Sequence, residues 1–168
     1  MKVLLQTTLG DITLELDEAK APITVANFLA YLDKGHYDQT VFHRVIGTFM
    51  IQGGGFTADG QQKPTGKQIK NEWDNGLKNK PYTIAMARLS NPDSATAQFF
   101  INVADNAFLS TASPQTGGAG YAVFGKVVAG TEVVDKIKGV RTGTRRTPGG
   151  PMGDWPEADV VITKAQRA

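Results

Sequence analysis

Apolar and polar positions alternate with two different periods along this chain, and the switches between them mark its elements. Ile12, Leu14 and Leu16 interleave with Asp11, Thr13, Glu15 and Asp17, the two-residue period of a strand buried on one face. Together with Val3 to Thr7 and the Leu9-Gly10-Asp11 connection, this predicts a hairpin. From Pro22 the period lengthens. Val25, Phe28, Leu29 and Leu32 form one helical stripe, opened by Pro22 and ended by Gly35. β-Branched and aromatic residues then predict strands over Val41 to Ile46, Phe49 to Gln52, Tyr82 to Ala87, Gln98 to Val103, Tyr121 to Val128 and Asp159 to Thr163. A second short helix is expected where Thr131 can serve as cap, with Glu132 in its first turn, Val133, Val134 and Ile137 as its apolar positions and Gly139 as terminator. Residues 57–81, 88–93, 110–120 and 141–156 lack steady periodicity and read as loops. About eight strands and two helices, without regular strand–helix alternation, point to a mostly-β fold. The most economical form is a closed eight-stranded antiparallel β-barrel capped by two α-helices, in a single domain spanning residues 1–168.

Composition narrows the function classes. The chain of 168 residues is long enough for a sizeable core, and its 19 glycines suit a turn-rich β fold. A formal net charge of +2 is too small to argue for nucleic acid. Arg145-Arg146 and the scattered Lys63, Lys67 and Lys70 read as solvated loops. There is no cysteine, which excludes disulfides, thiolate nucleophiles and sulfur-ligated metals, and His36 and His43 alone make no zinc site. The opening Met1 to Thr7 has too short an apolar run for a signal peptide, and no stretch approaches a membrane span, so a cytoplasmic protein is expected.

The chemistry concentrates in VFHRVIGTFMIQGGGF, Val41 to Phe56. Strand alternation puts Phe42, Arg44 and Ile46 on one face and Val41, His43 and Val45 on the other. In the next run Met50 and Gln52 share a face, and Gly53-Gly54-Gly55 allows positive φ or close approach of another backbone. An arginine among such apolar residues is costly to desolvate unpaired. Arg44 therefore either reaches water from a barrel rim, pairs with a structural carboxylate, or stands as a fixed cation beside an apolar pocket, oriented by an amide such as Gln52. Later in the chain Phe99, Ile101 and Val103 form a core face, while Gln98, Phe100 and Asn102 form a mixed face suited to a groove. Its parity matches that of Met50 and Gln52.

Other chemistries lack their residues. GYAVFGK, Gly120 to Lys126, mimics a phosphate loop, but Val127 stands where Ser or Thr is needed. There is no GxGxxG fingerprint or GxSxG elbow. His43 is either a general base or a structural histidine. What remains is a groove with an arginine, amides and apolar side chains but no nucleophile or metal, which suits a reaction without covalent chemistry. Rotation about a prolyl bond, with a barrier of roughly 18–20 kcal/mol, is such a reaction. A guanidinium aimed at the prolyl nitrogen of the twisted state contributes about 1.5–3 kcal/mol, the magnitude required for useful turnover.

Three long motifs, FHRVIGTFMIQGGGF, MARLSNPDSATAQFFINVADNAFL and GYAVFGKVV, resemble the cyclophilin peptidyl-prolyl isomerases, particularly the bacterial forms, and the similarity runs over nearly the whole chain. The resemblance implies the capped barrel with a site on its outer face, and isomerisation of proline-containing peptides and unfolded proteins. It implies that Arg44 is catalytic, that Phe49, Met50, Phe100 and Leu109 form a proline pocket, and that Gln52 orients Arg44. His43, Ala87, Arg88, Gln98, Phe108 and Tyr121 would line the groove, with substrate backbone bonded to the main chain near Arg88. No cofactor, metal, nucleic acid or membrane is implied, and a monomer is expected. The chain departs from the commonest eukaryotic pattern at Phe108, where a tryptophan is familiar, which implies weak cyclosporin binding. Tyr121 replaces a histidine, Arg88 an asparagine, and Gly47-Thr48 a Pro-Gly turn, while the 110–120 loop is longer than in compact relatives.

Overall fold

In the computed structural model, which describes Met1–Ala168, the two-residue period of the N-terminal segment becomes a hairpin. Strand β1 (Lys2–Thr7) pairs antiparallel with β2 (Gly10–Leu16), and Val3 and Leu5 lie opposite Leu14 and Ile12 in the core. Helix α1 (Pro22–Asp33) follows, burying Val25, Phe28 and Leu32 as its spacing predicts, together with Thr24 and Tyr31. Its N-terminal residue Ala21 has no capping side chain. The free N–H groups are met from the 57–81 loop, where the Glu72 carboxylate accepts from the Thr24 N–H at 2.7 Å and the Ile23 N–H at 3.3 Å. That loop is further pinned by the Lys63 ammonium, which donates to the carbonyls of His36 and Asp38.

The remaining strands of the main sheet are β3 (Thr40–Val41), β4 (Arg44–Ile46), β5 (Met50–Gly53), β6 (Thr83–Met86), β7 (Phe99–Asn102), β8 (Val123–Ala129) and β11 (Val161–Arg167). They curl in the order β3-β11-β1-β2-β8-β6-β7-β5-β4. The strand count therefore differs from the expected closed eight. The sheet has nine strands because Val41 to Ile46 is broken at Phe42-His43, which belong to no ladder. The two edge strands flank this break, so the sheet's ends meet through the chain itself and not through a hydrogen-bonded ladder. The break also resets the alternation. Phe42 and Val45 both enter the main core, while His43 and Arg44 both stay outside it. The expected opposition of His43 and Arg44 across a strand is thus corrected, because regular alternation does not survive an unpaired kink.

Helix α2 (Thr131–Lys138) buries Val133, Val134 and Ile137 as expected. Its N-cap is Gly130, not Thr131. Gly130 has φ +90°, and a Cβ there would lie 2.2 Å from the Asp11 carbonyl oxygen, so glycine alone fits. No helix in the chain is long and apolar enough to cross a membrane.

The larger correction lies in residues 141–156, expected as loop. They form a separate two-stranded ribbon, β9 (Thr142–Thr147) and β10 (Gly150–Pro156). Neither strand carries enough apolar residues to announce itself. Its anchor is Trp155, 1% exposed, packed with Val41 and Phe56 outside the sheet break. Arg145 staples the ribbon by donating to the Ala58 carbonyl at 2.6 Å and to Asp159 at 3.0 Å, with its guanidinium 5.0 Å from the Trp155 ring. Trp155→Ala is expected to lower the unfolding free energy by about 3–5 kcal/mol, measured by urea denaturation. A change under about 1 kcal/mol would show that the ribbon is not packed as described.

Candidate active site

The site begins with register. Across β4, β5, β7 and β6, Arg44 stands opposite Gln52, Gln52 opposite Phe100, and Phe100 opposite Ala85. Residues paired across adjacent strands share a face, so this row sets a cation, an amide and an aromatic ring side by side on the sheet's outer surface. Beneath and beside them Met50, Ala85, Phe100, Leu109 and Val123 form a small apolar cluster of their own, with Phe49, Ala87 and Tyr121 packed against it. The shared parity of the Met50/Gln52 and Phe100 runs is therefore realised as one surface.

A hollow of about 300 Å³ opens over this cluster, lined by Arg44, Phe49, Met50, Gln52, Ala87, Arg88, Phe100, Phe108, Leu109, Gln115 and Tyr121. Phe108 stacks on Phe49 with ring centroids 5.8 Å apart, and Tyr121 meets Phe100 edge-on at 5.8 Å. Gln98 lines an adjoining, more polar hollow that shares Gln52, Ala87 and Arg88. A larger trough, about 630 Å³, lies elsewhere over β2 and β8. Charged residues of both signs ring it, including Lys2, Glu15, Asp17, Lys78 and Lys126, and it shares no lining residue with the hollow over the apolar cluster.

Arg44 is exposed and forms no ion pair. Its Nη1 donates to Gln52 Oε1 at 3.4 Å, and Gln52 Nε2 donates to Gln98 Oε1 at 2.9 Å. Gly55 makes room for this relay. A Cβ at that position would lie 2.5 Å from Gln98 Nε2 and 2.6 Å from Gln98 Cγ, so the glutamine rests directly on bare backbone. Of the readings open for Arg44, pairing with a structural carboxylate is excluded by this geometry.

His43 is not part of the hollow. It is 2% exposed, with its ring 4.6 Å from Phe56 and 5.8 Å from Trp155, and Nδ1 has no hydrogen-bond partner. Burial first, and the Arg44 charge second, lower its pKa to about 4, so it is neutral at physiological pH. The kink at Phe42-His43 is what turns it under the ribbon instead of into the groove.

Two further differences bear on the walls. Asn102, expected on the groove face, is fully buried. It donates to Asn79 Oδ1 and Thr83 Oγ1, each at 3.0 Å, and accepts from Asn106 at 2.8 Å. Asn106 also donates to the Phe49 carbonyl at 2.9 Å, and Asn79 to the Tyr121 carbonyl at 3.2 Å, so this buried network ties opposite walls of the hollow together. Gln115 is the lining residue that sequence reasoning misses. It sits in a 3-10 turn, Pro114–Thr116, within a loop that carries no periodic signal.

Comparison with known proteins places this geometry in context. The family model described as cyclophilin type peptidyl-prolyl cis-trans isomerase matches residues 2–167. The peptidyl-prolyl cis-trans isomerase cyp18 of Streptomyces antibioticus is 60% identical over 162 residues, covering 96% of this chain and 95% of the relative. Peptidyl-prolyl cis-trans isomerase B of Escherichia coli is 54% identical over 160 residues, covering 95% of each. A crystal structure of a cyclophilin type isomerase from Cryptosporidium parvum, determined in the presence of the dipeptide Ala-Pro, superposes with a TM-score of 0.77. It is 26% identical, covering 100% of this chain and 99% of that one.

The buried histidine generates a pH test. Between pH 6.5 and about 4 the unfolded chain protonates His43 while the folded chain does not, so stability falls as pH falls through that window, by about 3 kcal/mol for this group. His43→Gln is expected to remove that share of the pH dependence in urea unfolding at pH 7 and pH 4.5. An unchanged slope would place the histidine in water.

Proposed function

The chain belongs to the family of cyclophilin-type peptidyl-prolyl cis-trans isomerases and is itself a peptidyl-prolyl cis-trans isomerase, and we propose that Arg44 is its catalytic residue. The observation that carries this is a guanidinium at the lip of an apolar hollow, held by a neutral amide and bound to no acid. The prolyl ring enters over Phe49, Met50, Phe100 and Leu109. Its peptide bond then lies within reach of Arg44. As the bond rotates, amide resonance is lost and a lone pair develops on the prolyl nitrogen, which the guanidinium stabilises in the twisted state more than in either planar state. A free, oriented cation suits this task, because an acid partner would compete for its donors.

The substrate backbone has a docking edge beside the hollow. The main-chain N–H and C=O of Arg88 take part in no hydrogen bond within the chain, although its neighbours do: the Ala87 N–H donates to the Gln98 carbonyl and the Leu89 N–H to Ser94 Oγ. Extended peptide can pair there while Gln52 and Gln98 meet its flanking amides. No nucleophile, metal or cofactor enters the mechanism, since no covalent bond is broken. Proline-containing peptides and unfolded segments are the substrates. Cyclosporin binds weakly in this reading, because Phe108, 54% exposed at the rim, offers a stacking face but no indole N–H. A monomer is supported by the dispersal of the large exposed apolar residues Met1, Ile23, Leu89, Phe108 and Val128 over separate elements.

Removing one charge-assisted hydrogen bond of about 1.5–3 kcal/mol corresponds to a loss of about 10- to 150-fold in kcat/KM. Arg44→Ala is expected to show that loss in a protease-coupled assay on an Ala-Pro peptide, with its unfolding curve unchanged. Full turnover in the variant would refute the assignment.

A further inference from the structure

Arg88 lines the hollow, yet both terminal nitrogens of its guanidinium are engaged with the protein. Its Nη1 donates to the Leu89 carbonyl at 3.0 Å, and its Nη2 donates to the carbonyls of Thr116 and Ala119 at 2.6 and 2.8 Å. The guanidinium carbon lies 4.2 Å from the centroid of the Tyr121 ring, and Nε is buried with no partner. No carboxylate pairs with it. A planar fork against three carbonyls and an aromatic face is a geometry that lysine cannot reproduce.

Both carbonyls taken by Nη2 belong to the 110–120 segment, which is closed at its neck by the Tyr121 N–H donating to the Leu109 carbonyl at 2.7 Å. Within the segment, Ser113 and Thr116 form a reciprocal capping box, and the Thr116 hydroxyl also donates to the Thr111 carbonyl at 2.8 Å. Thr116 is buried by these contacts. Gln115, next to it, is exposed, makes no hydrogen bond inside the chain, and faces the hollow. The fork thus holds an internally hydrogen-bonded turn, and the one free carboxamide on it lines the hollow.

We propose that Arg88 is a positioning residue that clamps the 110–120 segment against Tyr121, so that Gln115 becomes the specificity-determining wall of the hollow and selects peptides with a hydrogen-bonding residue beside the proline. This rests on the reading of the hollow as the proline pocket. The Gln115 carboxamide offers two donors and an acceptor to a flanking Gln, Asn or Ser side chain. It offers nothing to a flanking Leu. One neutral hydrogen bond of this kind corresponds to a preference of about 3- to 10-fold.

The test measures kcat and KM separately on matched proline peptides flanked by Gln or by Leu. Gln115→Ala is expected to lower kcat/KM on the Gln-flanked peptide about 3- to 10-fold relative to the Leu-flanked peptide, through KM. Arg88→Gln should lose the same preference for the Gln-flanked over the Leu-flanked peptide, whatever it does to the activity common to both, and adding Gln115→Ala should lower that preference no further, because one residue acts through the other. Methylguanidinium added to Arg88→Ala should restore the preference in part. A further drop in preference in the double variant, equal loss on both peptides in Gln115→Ala, or an unchanged preference in Gln115→Ala would overturn the proposal. Gln115 is exposed and without internal bonds, so its variant keeps the question answerable should Arg88 variants fail to fold. Arg44→Ala run alongside separates the two ideas, since full activity there sinks the pocket reading itself, whatever Gln115 does.

Discussion

An arginine with no acid partner has to be aimed by neutral groups, and that constraint organises the groove. The Arg44 guanidinium hydrogen-bonds the Gln52 amide, which hydrogen-bonds Gln98, which lies on the bare backbone of Gly55. Each link uses a group that orients without neutralising. A carboxylate at the position of Gln52 would form a stronger bond to Arg44, but it would also neutralise the guanidinium and occupy donors that the amide leaves free. The triple glycine, which from sequence alone could mean any turn, is in this light the seat of the far end of the relay.

The apolar half of the site is held as firmly by different means. Its floor is one face of a curled sheet whose other face is the main core, so neither can shift without the other. Asn79, Asn102 and Asn106 form a buried chain of amides reaching from the Phe49 carbonyl to the Tyr121 carbonyl. Such networks fix geometry because every broken member leaves an unsatisfied polar group indoors. On the other side of Arg44, the ribbon lays Trp155 over Phe56 and His43, closing the kink that would otherwise expose the sheet's two edges.

Much of this was legible in the sequence, and the exceptions share a cause. Alternation along Ile12 to Leu16 and the stripe from Val25 to Leu32 gave their elements directly, because burial on one face leaves a period. The matching parity of Met50/Gln52 with Phe100 anticipated the cross-strand row. Periodicity could not reveal the break at Phe42-His43, since an unpaired kink leaves the residue types unchanged while swapping their faces. The ribbon of residues 142–156 is held by one tryptophan and one arginine staple, too few apolar positions to make a pattern. Asn102 sits at a groove-facing parity but is drawn inward by partners 23 and 4 residues distant. Gln115 and the capping role of Gly130 depend on loop conformation, which single residue types do not encode.

The most direct measurement separates binding from rotation. NMR line-shape analysis of an Ala-Pro peptide titrated with wild-type protein and with Arg44→Lys yields the dissociation constant and the on-enzyme isomerisation rate independently. A guanidinium that acts on the twisted imide predicts a dissociation constant within about threefold of wild type and an on-enzyme rate lowered by about tenfold or more. Weaker binding with an unchanged on-enzyme rate would contradict it, and would make Arg44 a substrate anchor and not the catalyst.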